Sequence, residues 1–218
     1  MTETRYVGER EADYYGNTRQ DIVDALPRPV GRVLDVGCGA GGVGPGLRAA
    51  GAESLTGVEV VPAAAAQARE VFDEVVELPI EEALAALDGP FDTVLCLDLL
   101  EHLVDPGTVV EGLLDVTRPG GHLQVSVPNA RQVSLVYDLM VRGTFGYTEW
   151  GHRDATHLRW FTSGDMVEML ESRGWRVVRV SHPPLRSSRW WAIALDRLTR
   201  GWTTQFLVWQ VYVLAERP

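Results

Sequence analysis

Lysine is missing from this sequence: all twenty basic residues among its 218 are arginine. That absence excludes Schiff-base catalysis and any lysine general base. Cysteine is nearly missing too. Cys38 and Cys96 are the only two, and no CxxC pair or Cys/His cluster at zinc spacing accompanies them. A disulfide framework and a zinc module are thereby excluded, and a reduced, cytoplasmic setting is expected. Long apolar runs are also lacking. The nearest, residues 189–214, is interrupted by Asp196, Arg197, Arg200 and Gly201, so no membrane span is expected. The opening stretch MTETRYVGEREADYYGN carries acids and no apolar core, which argues against a secretory signal. Positive charge is in deficit, with a formal net charge of −10. Non-specific nucleic-acid binding relies on neutralising phosphates, so no nucleic-acid partner is expected. Arg173, Arg176, Arg179, Arg186 and Arg189 are spaced as a solvated face.

What is present is globular: 45% hydrophobic and 23% charged residues, too apolar for a disordered chain. We expect a single domain over 1–218, with an N-terminal helical cap at about 1–29 and a substrate-facing insert at about 130–162. Residues 18–26 predict a short amphipathic helix ended by Pro27. Strands are then expected at 31–37, 54–60, 73–78, 91–98 and 122–129, with helices at 42–51, 62–72, 80–87 and 105–117. Such alternation builds a parallel sheet covered by helices on both faces. Beyond 129 the rhythm breaks into a stretch rich in aromatics, arginines and histidines. A helix at 163–173 with Ser163 as its N-cap follows, then a strand at 175–182, a partly helical segment around 190–198 and a strand at 205–217.

Ligands of such sheets bind outside the carboxyl ends of the strands. The first of those ends carries Asp35-Val36-Gly37-Cys38-Gly39-Ala40-Gly41-Gly42, running from strand into helix. Its glycines let the backbone bend sharply and let a ligand approach without a Cβ in the way. Glu59, twenty residues beyond Gly39, ends the second strand, where a carboxylate accepts from both hydroxyls of a ribose. The pattern points to a nucleoside. It also serves NAD enzymes, but a pyrophosphate wants the helix N-terminus free of nearby negative charge. Asp35 suits a ligand with an ammonium group better, and it can also tie the loop through backbone N–H groups.

The segments VLDVGCGAGG, FDTVLCLDLLEHL and RPGGHLQVSVPN, with Glu59, together resemble the class I S-adenosylmethionine-dependent methyltransferases. More narrowly, they and PNARQV…RGTFGY…DATHLRWFT are similar to the bacterial group related to ubiquinone-type methyltransferases. The resemblance runs over roughly 12–180 and is specific in combination. It implies a Rossmann-like α/β fold with seven strands in order 3-2-1-4-5-7-6, mostly parallel, the last antiparallel. It implies S-adenosylmethionine as cofactor, with Asp35, Gly37, Cys38 and Gly39 at its methionine end, Glu59 on the ribose and Val60 against the adenine. Asp98 would lie beside it at the end of strand four. Relatives often carry an adenine-binding acid after strand three. Here Pro79 stands there, flanked by Leu78 and Ile80, so Leu78 enters the set and Glu77 is the nearest substitute acid. Tyr15 and Arg19, with Tyr14, would close over the cofactor, where rings gain cation–π attraction to a sulfonium.

Methyl transfer needs a positioned nucleophile and, for a hydroxyl, a base. The candidates are Asp98, Glu101, His102, His152 and His157, with His102 and His157 taken as catalytic. A structural role, His102 at a turn and His157 tying down the insert, is the alternative for each. Asp98, Glu101 and His102 would also permit a divalent ion; the metal-free reading is adopted. Arg159 is read as anchoring the insert, and Trp150 and His152 as lesser substrate contacts. Cys38 and Cys96 are read as inert. Trp190, Trp191, Trp202, Phe206 and Trp209 pack the last elements, form a homodimer surface or line an apolar channel. The expected activity is methylation at oxygen or nitrogen of a small molecule: a sugar, an aromatic or a natural-product intermediate. The alternatives are an NAD-dependent oxidoreductase or epimerase, and a non-catalytic partner retaining the cofactor pocket.

Overall fold

The computed structural model describes residues 18–149, 151–183, 194 and 196–218. Seven strands form one sheet in the order β3-β2-β1-β4-β5-β7-β6. They are β1 Arg32–Val36, β2 Ser54–Val58, β3 Glu74–Val76, β4 Phe91–Leu97, β5 Thr117–Pro128, β6 Arg176–Ser181 and β7 Gln210–Glu216. The pairs β1–β2, β1–β4 and β2–β3 are parallel. β6 and β7 are antiparallel. The expected Rossmann-like fold and strand order are therefore observed. Among the described residues no helix is long and apolar enough to cross a membrane.

The chain resolves into two compact units. The first holds 18–96, 111–123 and Arg217. β1 reads Arg-Val-Leu-Asp-Val, and all but its first residue are buried, as befits a strand covered on both faces. Helices α1 Gln20–Ala25, α2 Gly44–Ala49, α3 Pro62–Ala68 and α4 Ile80–Ala83 are shorter than the sequence pattern suggests. Their last predicted turns are bends and loose turns. α3 starts on Pro62, whose fixed φ suits a first turn, and buries Ala64, Ala65 and Ala68. β5 starts at Thr117 rather than the expected 122, because Arg118 to Gly121 continue extended; Gly120 N–H donates to Arg217 C=O, and Arg217 N–H to Gly121 C=O. The Arg217 guanidinium donates to the carbonyls of Leu114 and Thr117. A cation there satisfies C-terminal helix carbonyls and complements the helix dipole.

The second unit holds 97–110, 124–216 and Pro218. Helix α5, Pro106–Val116, begins in it, and Trp175 donates its indole N–H to Val110 C=O at 2.9 Å. The 130–162 segment contains α6 Val133–Tyr137, which continues into a wide π turn at Asp138–Arg142. Buried Asp138 pairs with Arg153 at 2.6 Å and with Arg142 at 3.2 Å. Helix α7, Ser163–Ser172, is capped by Thr162, not by the expected Ser163. Thr162 and Asp165 form a reciprocal capping box, and only the former register places the acid at the third helical position. The last strand starts at Gln210, later than the expected 205, because Thr204–Leu207 form a helical turn, α8, that presents carbonyls to the Asn129 amide. The expected helix around 190–198 lies largely outside the described residues.

Gly57 sets a packing limit under the glycine loop. A Cβ there would meet Cys38 Sγ at 2.6 Å and the Phe72 ring at 3.2 Å. Gly57→Ala is therefore expected to destabilise the protein by about 1–3 kcal/mol through overpacking. In urea denaturation, adding Cys38→Ala should return part of that loss as a coupling energy.

Candidate functional site

The first unit carries a cradle of backbone N–H groups and two buried carboxylates. Strand β1 delivers the chain into Gly37, Gly39 and Gly41, all at positive φ (76°, 55° and 83°), where a side chain would strain the turn. Gly37 N–H and Cys38 N–H both donate to Val58 C=O, at 2.8 and 3.1 Å, which locks the loop to the end of β2. Just beyond, Glu59 Oε2 accepts from Gly39 N–H at 2.9 Å and Oε1 from Val61 N–H at 2.8 Å. Each oxygen retains a lone pair, so the carboxylate can still accept from two vicinal hydroxyls. Burial raises the pKa of Glu59, and the N–H donors of Val61, Gly39 and Val60 pull it back.

Asp35 is 2% exposed, and among the described residues its Oδ2 has no hydrogen-bond partner. Burial first, then the charge of Glu59, pushes its pKa up to about 7, while the Arg19 guanidinium draws it down. Arg19 is itself buried, at the start of α1. An unsatisfied buried oxygen costs free energy until a donor reaches it. Here the donor of choice is cationic, and a pyrophosphate would be repelled. Cys38 turns its thiol into the core against Gly57, and burial together with Asp35 and Glu59 raises its pKa, so its part in the cradle is its backbone. Val60 is half-buried and Leu78 is 37% exposed at the mouth of β3. Glu77, the nearest substitute acid for an adenine, is engaged by Arg69 in an exposed ion pair at 2.8 Å. Tyr14, Tyr15 and Trp150 lie outside the described residues.

The second unit gathers the candidate acid–base residues. Asp98 follows β4 at φ 53°, in the left-handed region. Three bonds hold it there. Its N–H donates to Ser126 C=O at 2.9 Å, and its Oδ1 accepts from Ser126 Oγ at 3.1 Å and Gln210 Nε2 at 2.8 Å. The turn Leu100–His102 then presents Glu101, His102 and, from the insert, His157 together. Donor atoms of all three lie within 4.8 Å of one another, a carboxylate with two imidazoles that suits proton transfer and has a spacing one cation could span. The His102 and His157 rings meet edge to face at 4.7 Å. His157 Nε2 lies 3.9 Å from Glu101 Oε1. Burial, then the neighbouring His102, lowers the His157 pKa to about 4, although Asp154 opposes this. His157 is therefore neutral near pH 7.

The insert reaches this cluster through its backbone. Leu158 N–H and Arg159 N–H both donate to Glu101 C=O, at 2.8 and 3.1 Å, and the Arg159 guanidinium donates to Val104 C=O at 2.6 Å. His152 sits elsewhere, with Nε2 2.6 Å from Asn129 C=O and its ring edge-on to Trp209. Burial, then Arg153, lowers its pKa to about 4. Sequence reasoning missed Ser126 and Gln210 as holders of Asp98, and Asp154 and Thr156 beside His102. Only the Asp-Ala-Thr-His spacing carried a local signal, an Asp side chain folding back on the residue two ahead.

A family model described as a methyltransferase domain matches residues 9–180. A ubiquinone biosynthesis O-methyltransferase of Alkalilimnicola ehrlichii is 35% identical over 152 residues, 62% of this chain and 60% of that protein. The chain thus spans about three-fifths of that curated relative. A methyltransferase structure from Archaeoglobus fulgidus, described as SAM dependent, aligns with TM-score 0.66 at 17% identity, over 94% of this chain and 97% of that one. The magnesium protoporphyrin IX methyltransferase of Synechocystis, solved with bound SAH, aligns with TM-score 0.62 at 18% identity, over 97% and 90%. At such identities the two structures speak for the fold alone. The family model spans most of the sequence, including the whole glycine-loop cradle and the Glu101–His157 cluster, and on that ground the chain belongs to the class I S-adenosylmethionine-dependent methyltransferases.

Proposed function

We propose that this chain methylates an oxygen of a small molecule, with an aromatic hydroxyl as the favoured acceptor. When bound, S-adenosylmethionine supplies the electrophilic methyl carbon. The observation that carries the oxygen assignment is the His102 imidazole, set beside a carboxylate and a second imidazole. An amine needs little more than desolvation, whereas a hydroxyl must lose a proton, and this cluster is equipped to take it. The relative from A. ehrlichii, an O-methyltransferase by name, supports the same choice.

The cradle residues fit the cofactor. Glu59 keeps acceptor capacity for the ribose hydroxyls, and the open oxygen of Asp35 answers an α-ammonium. Gly37, Cys38 and Gly39 offer backbone against the methionine end, with Val60 and Leu78 toward the adenine. Arg19, a buried cation beside Asp35, completes the set that the first unit supplies; Tyr15 and Asp98 are assigned to the cofactor on the resemblance alone. His102 serves as the base, and neutral His157 shields it and holds the acceptor.

Incubation with S-adenosylmethionine and either 3,4-dihydroxybenzoate or benzylamine should yield a methyl ether from the first and no methylated amine from the second. Methylation of the amine alone would reverse the assignment. Glu59→Ala should weaken S-adenosylhomocysteine binding in calorimetry by about 1.5–3 kcal/mol, the worth of hydrogen bonds to a charged group. His102→Ala should lower kcat by about 100-fold or more, with little change in S-adenosylhomocysteine affinity.

Asp35 also predicts a pH dependence. Its folded pKa, about 7, exceeds its ordinary value of 3.8. Between those values the folded protein keeps a proton that the unfolded chain releases. Stability of the ligand-free protein should therefore fall as pH rises from 4 to 7, by up to about 4 kcal/mol. An ammonium requires the ionised carboxylate, so S-adenosylhomocysteine affinity should climb up to about tenfold per unit below pH 7 and level off above. Flat affinity from pH 5.5 to 8 would detach Asp35 from the ligand.

A further inference from the structure

Buried Asp154 and half-buried Thr156 are polar groups that the proposed reaction does not use. Both come from the insert. Asp154 is 1% exposed, and its Oδ1 accepts twice from one residue: from Thr156 N–H at 2.8 Å and from Thr156 Oγ1–H at 2.7 Å. Thr156 Oγ1 lies 3.1 Å from His102 Nδ1. A threonine hydroxyl has one proton to give. Once that proton is committed to the carboxylate, the contact with His102 can be a hydrogen bond only if Nδ1–H donates to Oγ1. The lone pair of the neutral ring then falls on Nε2.

We propose that Thr156, itself aimed by Asp154, is a positioning residue that fixes His102 in its Nδ1–H tautomer and so makes Nε2 the basic nitrogen. The proposal rests on the reading of His102 as the base. In the reaction the acceptor O–H bond breaks as Nε2–H forms, and the bonding pair stays on the oxygen. Thr156 moves no proton: it accepts from Nδ1–H before and after. The imidazolium that results is faced by Asp154 through the hydroxyl, by Glu101 from the same turn, and by neutral His157 across the 4.7 Å ring contact. A carboxylate that orients a hydroxyl, which in turn accepts from one imidazole nitrogen, sets which nitrogen works. Nothing in Asp-Leu-Leu-Glu-His, where His102 sits, encodes it, since the partners lie 52 and 54 residues further along.

The test is the nitrogen NMR spectrum of protein labelled with 15N-histidine at pH 8, with His102 assigned by difference against His102→Gln. Wild-type protein should show a pyrrole-type Nδ1 and a pyridine-type Nε2 for His102. Thr156→Val, which keeps the shape and deletes the hydroxyl, should shift the population toward the Nε2–H form, and Thr156→Ser should restore the wild-type pattern. With 3,4-dihydroxybenzoate as acceptor, Thr156→Val should lower kcat by about 10–100-fold while KM for S-adenosylmethionine moves less than twofold, and Thr156→Ser should recover most of it. An Nε2–H tautomer in the wild type, or an unchanged tautomer in folded Thr156→Val, would overturn the proposal. So would activity that vanishes with a chelator and returns with a divalent metal, because His102 would then be a ligand. Full activity of His102→Ala would instead remove the base reading, and the spectrum would still report on Thr156.

Discussion

The buried carboxylate of Glu59 is the interaction on which the glycine-loop cradle depends. It stands one residue past β2, and its two oxygens take backbone N–H groups from opposite sides: Gly39 in the loop after β1 and Val61 at the entry to α3. One side chain therefore fixes the two chain segments that a nucleoside would have to touch. The geometry is possible because the loop lies directly on β2. Val58 C=O receives both Gly37 N–H and Cys38 N–H, and Gly57 has no side chain to hold the Cys38 thiol away. Charge is concentrated there without being neutralised. Burial raises the proton affinity of both carboxylates, Glu59 raises that of Asp35 further, and the Arg19 guanidinium offsets the Asp35 shift only in part. Such a site is preorganised for a ligand with positive charge at one end and hydroxyls at the other.

The second unit solves a different problem, holding polar groups in fixed orientation away from water. Asp98 occupies a left-handed backbone conformation that costs a non-glycine residue free energy, and Ser126 and Gln210 hold it there. The insert is sewn to the turn after β4 by Glu101 C=O, which receives two of its N–H groups. That backbone stitch is what brings His157 against His102 and Thr156 against the same ring. Buried polar networks reward full satisfaction and penalise gaps. The Asp154–Thr156–His102 chain is such a network, and the lowered pKa of His157 keeps a second charge out of it.

Several features were readable from local residue order because local physics enforces them. Glycines at 37, 39 and 41 announce a turn that needs positive φ, and the near-continuous apolar run of β1 announces a strand buried on both faces. Other expectations slipped where neighbours far along the chain decided the outcome. β5 starts at Thr117 because Arg217, near the other end of the sequence, exchanges hydrogen bonds with residues 120 and 121. β7 begins late because Asn129 takes up the carbonyls of Gln205 and Val208. α7 takes Thr162 as its cap because Asp165 can return the bond only in that register.

The amino-acid order by itself determined the class of fold, the glycine turn after the first strand and the family, since strand periodicity, glycine at strained φ and an acid at a strand end are local requirements. Tertiary structure alone decided which side chains act together. It buried Asp35 with one oxygen unpartnered among the described residues, paired Glu77 with Arg69, and placed a threonine on one nitrogen of His102. The reason is distance: hydrogen-bond partners and desolvation are properties of neighbours in space, and those neighbours lie tens of residues apart in the chain.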